Sequence, residues 1–165
     1  MDSNQTKAIA EFLIADFERE IPTTVRVLGA VPAGSLDYAP DAKAKTALGL
    51  LRHLALEDAW LLDCVAGGAF TQPPDDSDAC GVMTPADAVA RYNQLVPASL
   101  ARVRAMSGDQ LSAILDLFGI VQAPAVAFIG MALKHSVHHR GQLSTYLRPM
   151  GGKVPGIYGP SADTQ

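Results

Sequence analysis

Four histidines carry most of the chemical information in this chain, because their spacing is not scattered. His135, His138 and His139 fall close together, and His53 stands alone far upstream. Residues four apart on an α-helix differ by about 40° in direction and about 6 Å in height. His135 and His139 can therefore aim their rings at one point above a helix. Zinc-like ions take imidazole nitrogens at about 2.0–2.1 Å, a geometry that two rings at this spacing can supply. A third ligand has to come from a facing helix, where His53 is the remaining histidine.

His138 competes for the inner position, since a three-residue spacing also brings it near His135. The neighbouring residues decide between them. The row through His135 and His139 includes Phe128, Ala132, Leu143 and Tyr146, an apolar stripe that faces a core. The row through His138 includes Lys134, Gln142 and Thr145, which read as edge or solvent. The expected metal ligands are His53, His135 and His139, with His138 beside the site or at the surface. Without an ion, several imidazoles in apolar surroundings would repel one another on protonation, so the cluster favours metal over a purely structural role. HExxH is not matched, because Ser136 occupies the Glu position.

Glu57 follows His53 by one turn. It is expected to act as a fourth ligand, to hold a bound water or to move protons; the alternative is an exposed acid paired with Arg140. Trp60, on the same row, reads as core packing or pocket lining. Gln142, close after His139, is placed to orient a ligand ring or a bound water. His138 and Glu57 are the candidates for proton handling.

Four helical segments must position these residues. The first spans about residues 4–28, with Ile9, Phe12, Leu13, Phe17, Glu20 and Thr24 near one face and Pro22 as an expected kink. Loop residues 29–43 carry Pro32, Gly34 and Pro40. The second helix begins near residues 43–46 and stops at Gly67-Gly68; its leucines cover more than one face, so deep burial is expected. Residues 68–83 form a Pro- and Asp-rich loop. Thr84-Pro85-Ala86-Asp87 is a strong start for the third helix, which runs to about Met106 with Pro97 inside it. Residues 108–123 are read as an irregular connection in which 110–123 forms either a short helix or an extended segment. The fourth helix runs from about Pro124 to Leu147, and an irregular tail covers 151–165. The expected architecture is all-α: an antiparallel, up-and-down four-helix bundle in a single domain over residues 1–165.

Composition narrows the function. Thirteen Lys and Arg against 17 Asp and Glu give a net charge of −4 with no basic run, which argues against a nucleic-acid surface. No secretory leader or bilayer-spanning run is read, and Cys64 and Cys80 form no CxxC pair, so a reducing cytoplasm is the expected compartment. Cys64 reads as a small buried hydrophobe and Cys80 as an inert loop thiol.

The segment His135-Ser136-Val137-His138-His139-Arg140-Gly141-Gln142-Leu143, with Thr145-Tyr146-Leu147-Arg148 and Gly151-Gly152, resembles the C-terminal signature of the DinB-like, YfiT-related bacterial family. Asp37-Tyr38-Ala39-Pro40-Asp41, then Leu50-Leu51-Arg52-His53-Leu54 and the ending Pro155-Gly156-Ile157-Tyr158-Gly159, are similar to it as well. The resemblance implies a four-helix bundle, frequently a homodimer, with a three-histidine site for one zinc or nickel ion on His53, His135 and His139. It further implies a metal-dependent transferase that uses a low-molecular-weight thiol of the bacillithiol, mycothiol or glutathione type on an electrophilic small molecule. A metal-dependent hydrolase and a non-catalytic metal-binding stress-response protein are the alternatives.

Overall fold

The computed structural model describes residues 2–164 and is mostly helical. The elements are α1 (Ser3–Gly29), α2 (Ala47–Gly67), α3 (Pro85–Arg104), α4 (Gly108–Ser112), β1 (Ile114–Leu117), β2 (Val121–Pro124) and α5 (Ala125–Leu147). Local chemistry sets most of the boundaries. Asp2 and Gln5 form a reciprocal cap at the start of α1, and Thr84 with Asp87 do the same for α3, where Pro85 takes the first helical position. Thr46 caps α2, which ends on Gly68 in the left-handed conformation at φ 76°. α1 and α3 continue through Pro22 and Pro97 as single assigned helices.

The four long helices form a ring in which α1 and α2 each pack against α3 and α5. Their directions follow from the contacts. Lys7 near the start of α1 bonds the carbonyl oxygen of Arg104 at the end of α3, so that pair is antiparallel. α2 and α5 are also antiparallel, with Lys45 before α2 bonded to Tyr146 late in α5. By contrast α2 and α3 run parallel: Arg52 reaches Val82 beside the start of α3, and Asp63 pairs with Arg102 near its end. α1 and α5 are parallel as well, with Leu13 against Gly130 and Glu20 against Arg140. The up-and-down order expected from the sequence is thus replaced by mixed directions. The reason is the long loop after α2, which has the reach to return the chain to the other end before α3 begins. Buried Arg52 anchors that loop, donating to the carbonyl oxygens of Val82 and Asp76 and to the Asp78 carboxylate.

Residues 108–123, expected as an irregular connection with either a short helix or an extended segment in 110–123, are ordered and contain both. Ser107 and Gln110 cap a fifth, short helix, α4, and an antiparallel hairpin follows, with Leu117 opposite Val121. Phe118 and Gly119 take φ 52° and 74° at its turn, the left-handed pair that a tight hairpin twist requires. Ala125 then donates to the carbonyl of Ala113, which fixes where α5 starts. The third helix accordingly ends at Arg104 rather than Met106.

Along α1 the expected apolar face divides. Phe17 and Thr24 are fully buried, whereas Ile9 is 39% and Phe12 66% exposed. α2 is the most enclosed element, with Leu50, Leu51, Leu54, Ala55 and Leu62 essentially inaccessible. Among the described residues no helix is long and apolar enough to cross a membrane.

Where α4 meets the start of α1 the packing admits no side chain, because a Cβ on Gly108 would overlap the carbonyl oxygen of Ser3. Gly108→Ala is expected to cost about 1–3 kcal/mol and to lower the melting temperature. Gly34→Ala, which meets no atom within 4 Å, serves as the neutral control in the same thermal scan.

Candidate metal centre

α2 and α5 lie antiparallel, and their facing rows bring the three expected imidazoles together. Nε2 of His53 lies 3.0 Å from Nε2 of His135. The ring centroids of His53 and His135 are separated from that of His139 by 4.2 and 4.5 Å. One ring nitrogen from each of the three residues falls within 4.8 Å of the others. His53 is buried, while His135 and His139 are partly open.

Each ring on α5 is fixed by an acceptor at its far nitrogen. Nδ1 of His135 lies 2.7 Å from Oδ1 of Asp58, and Nδ1 of His139 lies 3.0 Å from Oε1 of Gln142. A carboxylate and an amide carbonyl can only accept, so both Nδ1 atoms carry the hydrogen and both Nε2 atoms keep a lone pair. Glu57 Oε1 comes within 2.8 Å of Nδ1 of His53, while Oε2 lies 3.7 Å from Nε2 of His135. The first contact is off the ring N–H direction, and Nδ1 of His53 is left without a hydrogen bond.

The electrostatics follow from this crowding. Burial pushes the Glu57 carboxyl upward, but the adjoining His53 ring, then His135 and Lys45, outweigh it and hold the group below the usual carboxylate value. The His139 ring is pulled down to about 4, first by burial and then by the neighbouring imidazoles of His53, His135 and His138, against an opposing contribution from Gln142. A ring that resists protonation keeps its lone pair available to a cation.

The donor set fits a divalent first-row ion. Three neutral imidazole nitrogens at tetrahedral spacing around zinc would lie about 3.3 Å apart, inside the range that the three rings span. A cleft of about 390 Å³ lined by Ala127, Met131, Lys134, His135, His138 and His139 opens directly on two of the rings. A second, of about 340 Å³, lies between α1 and α5 and shares Lys134 and His138 with the first.

The remaining expected residues are distributed as follows. His138 is exposed, edge-on to His139 with centroids 4.8 Å apart, at the rim of both clefts. Trp60 packs edge-to-face on Phe70 and donates to Thr71, outside the lining of the histidine cleft. The alternative pairing of Glu57 with Arg140 does not occur. Arg140 is 1% exposed and points to α1, where Glu20 Oε2 is 2.5 Å away, with Thr24 and Tyr158 completing its partners. One residue of the site was missed from sequence: Asp58, fully buried behind His135. Its signal was an acid inside the apolar run of α2, overshadowed by Glu57 beside it. Ser136, first noted only for breaking HExxH, is also buried and lies 3.1 Å from the Tyr92 hydroxyl.

Comparison with known proteins places the chain among its relatives. The profile of the DinB family matches residues 3–165. The crystal structure of a DinB-like protein from Bacillus cereus ATCC 10987 superposes with a TM-score of 0.74 at 23% identity, covering 90% of this chain and 97% of that one. A DinB-like protein of Bacillus subtilis, YjoA, gives 0.69 at 18% identity over the same shares. The uncharacterized protein YrdA of Bacillus subtilis (strain 168) is 40% identical over 42 residues, 26% of this chain and 25% of YrdA, so the chain spans about a quarter of that relative's length.

The depressed His139 value predicts a direction of pH dependence. With the folded ring near 4 and the unfolded ring near 6.5, the unfolded chain binds more protons between those values. The stability that His139 contributes is therefore present above about 6.5 and is lost as pH falls toward 4. Urea unfolding of chelator-stripped protein from pH 7.5 down to 4.5 should show this decline, and His139→Gln should flatten it.

Proposed function

This chain belongs to the DinB family, and on that footing we propose that it is a metal-dependent transferase joining the sulfur of a low-molecular-weight thiol to an electrophilic small molecule. The scaffold in this reading is a DinB-type four-helix bundle, and His53, His135 and His139 hold one zinc or nickel ion. The observation that carries it is the opening of the three-imidazole cluster onto a cleft rather than into the core. Three protein ligands facing a cleft leave a position open, as a catalytic site requires and a purely structural one does not. An ion there would supply the positive charge that keeps a bound thiol deprotonated.

The surrounding residues take definite roles. Glu57, partly exposed and held anionic, receives the thiol proton. The sulfur–carbon bond then forms as the bond from carbon to its leaving group breaks, and His138 at the rim returns a proton to that group. Lys134 lines both clefts and is placed to hold a carboxylate of the substrate, while Leu133, Val137 and Met131 receive its apolar part. Glu57 also supports a second reading. Its Oε2 lies 3.7 Å from Nε2 of His135, and a closed, non-catalytic four-ligand site would draw on that carboxylate. A hydrolase would use the same residues with water in place of thiol. The exposed Phe12 and Ile9 on α1 support a homodimer through that helix.

The test mixes full-length protein with bacillithiol, mycothiol or glutathione and a bimane electrophile, and follows thiol loss with zinc, nickel or chelator. Metal-dependent loss is expected with at least one thiol. His135→Ala should abolish it, and Glu57→Gln should lower kcat by about 100-fold. Rates indifferent to metal with every thiol would overturn the reading. Metal-dependent turnover of esters without thiol would transfer it to hydrolysis.

A further inference from the structure

Asp58 is an unusual residue to find at the centre of this fold. It is fully buried on α2, with Oδ1 against Nδ1 of His135 and Oδ2 without a hydrogen-bond partner. A buried carboxylate is costly unless it is paired and its lone pairs are satisfied. The arginines on the neighbouring rows are committed elsewhere, Arg52 to the loop of residues 76–83 and Arg140 to Glu20, Thr24 and Tyr158. Tyr92 of α3 is the other polar group in its surroundings. Burial, and next the Asp58 charge, push the Tyr92 phenol well above its ordinary value, so it stays neutral and bonds Ser136. The His135 imidazole is thus the close partner of Asp58 at 2.7 Å, with the neutral Tyr92 hydroxyl the other polar group beside the carboxylate.

That imidazole is a link as well as a partner. Its Nδ1 faces Asp58, and its Nε2 faces Nε2 of His53 at 3.0 Å. Gln142 performs the same anchoring for His139 without a charge. The two α5 rings are thus held by unlike acceptors, one anionic and enclosed, the other neutral and partly open.

We infer that Asp58 is a positioning residue for the metal centre: it fixes the His135 tautomer with the lone pair on Nε2 and supplies, through the ring, the buried counter-charge that a divalent ion needs. The inference rests on the reading that the three histidines hold an ion. It assigns α2 a contribution besides His53 and Glu57, and it accounts for a fully buried acid on that helix. Asp58 acts through His135 and touches neither substrate nor ion.

The experiment compares zinc affinity of full-length wild type, Asp58→Asn, Asp58→Ala and Gln142→Ala by competition with a chromophoric chelator. Far-UV circular dichroism of each stripped protein fixes a temperature at which it is folded. Asp58→Asn keeps the size and an acceptor oxygen, so it carries the test even where Asp58→Ala fails to fold. Both are expected to weaken zinc by about 10–100-fold, more than Gln142→Ala, and to shift the visible bands of the cobalt(II) form. Zinc affinity of Asp58→Asn equal to wild type overturns the counter-charge. Equal affinity in Asp58→Ala as well overturns the positioning role. Wild type that takes up no zinc, nickel or cobalt overturns the metal reading itself, a result separable from the other two.

Discussion

Three imidazole nitrogens drawn from two helices converge on one point, and converging lone pairs repel one another unless a proton or a cation lies between them. Nε2 of His53 and Nε2 of His135 stand in that relation at 3.0 Å, and His139 closes the third side. A proton between the first two relieves one contact and leaves the third ring unsatisfied. A divalent cation satisfies all three, because its charge is shared among nitrogens at comparable distances. The rest of the molecule can be understood as a support for that convergence, with Asp58 and Gln142 behind the α5 rings and Glu57 beside the nitrogens of His53 and His135.

Holding rings to this tolerance takes rigid helices rather than loops. α2 is suited to it because it is enclosed on nearly all sides, so His53 and Asp58 ride on a helix that has little room to rotate. α5 is fixed at its start by the hairpin and along its length by the Arg140–Glu20 pair, a buried charge contact whose geometry ties α5 to α1. Arg140 directly follows His139, so the contact that secures α5 against α1 also sets how the neighbouring imidazole faces α2. Tyr158 joins the same pair from the C-terminal tail, at the wall of the cleft between α1 and α5.

The mixed helix directions have a comparable explanation. A 21-residue α2 is about 30 Å long, and the loop after it, extended, reaches farther than that. The chain can therefore return and start α3 alongside the start of α2, with Arg52 holding the loop down. The same economy is seen at residues 108–124, where one helical turn and a hairpin replace what composition suggested was an irregular segment. Its alternation is too short to separate helix from strand. The positive φ at Phe118 is a backbone choice that no side-chain pattern announces.

The sequence by itself located the long helices to within a few residues, through signals such as the Gly67-Gly68 stop and the Thr84-Pro85-Ala86-Asp87 start. It also determined which histidines lie on an apolar row, because a 3.6-residue period and local hydrogen bonds depend on neighbours along the chain. Only the tertiary structure decided what those rows meet. Glu57 turned out to lie against His53 rather than Arg140, Phe12 was left outside the core, and Asp58 lay behind His135. The Arg140–Glu20 and Asp58–His135 pairs are contacts between helices, and the exposure of Phe12 is the lack of one. Helix order, direction and rotation set such contacts, and in this fold they follow from loop reach and from buried ion pairs between residues far apart in the chain.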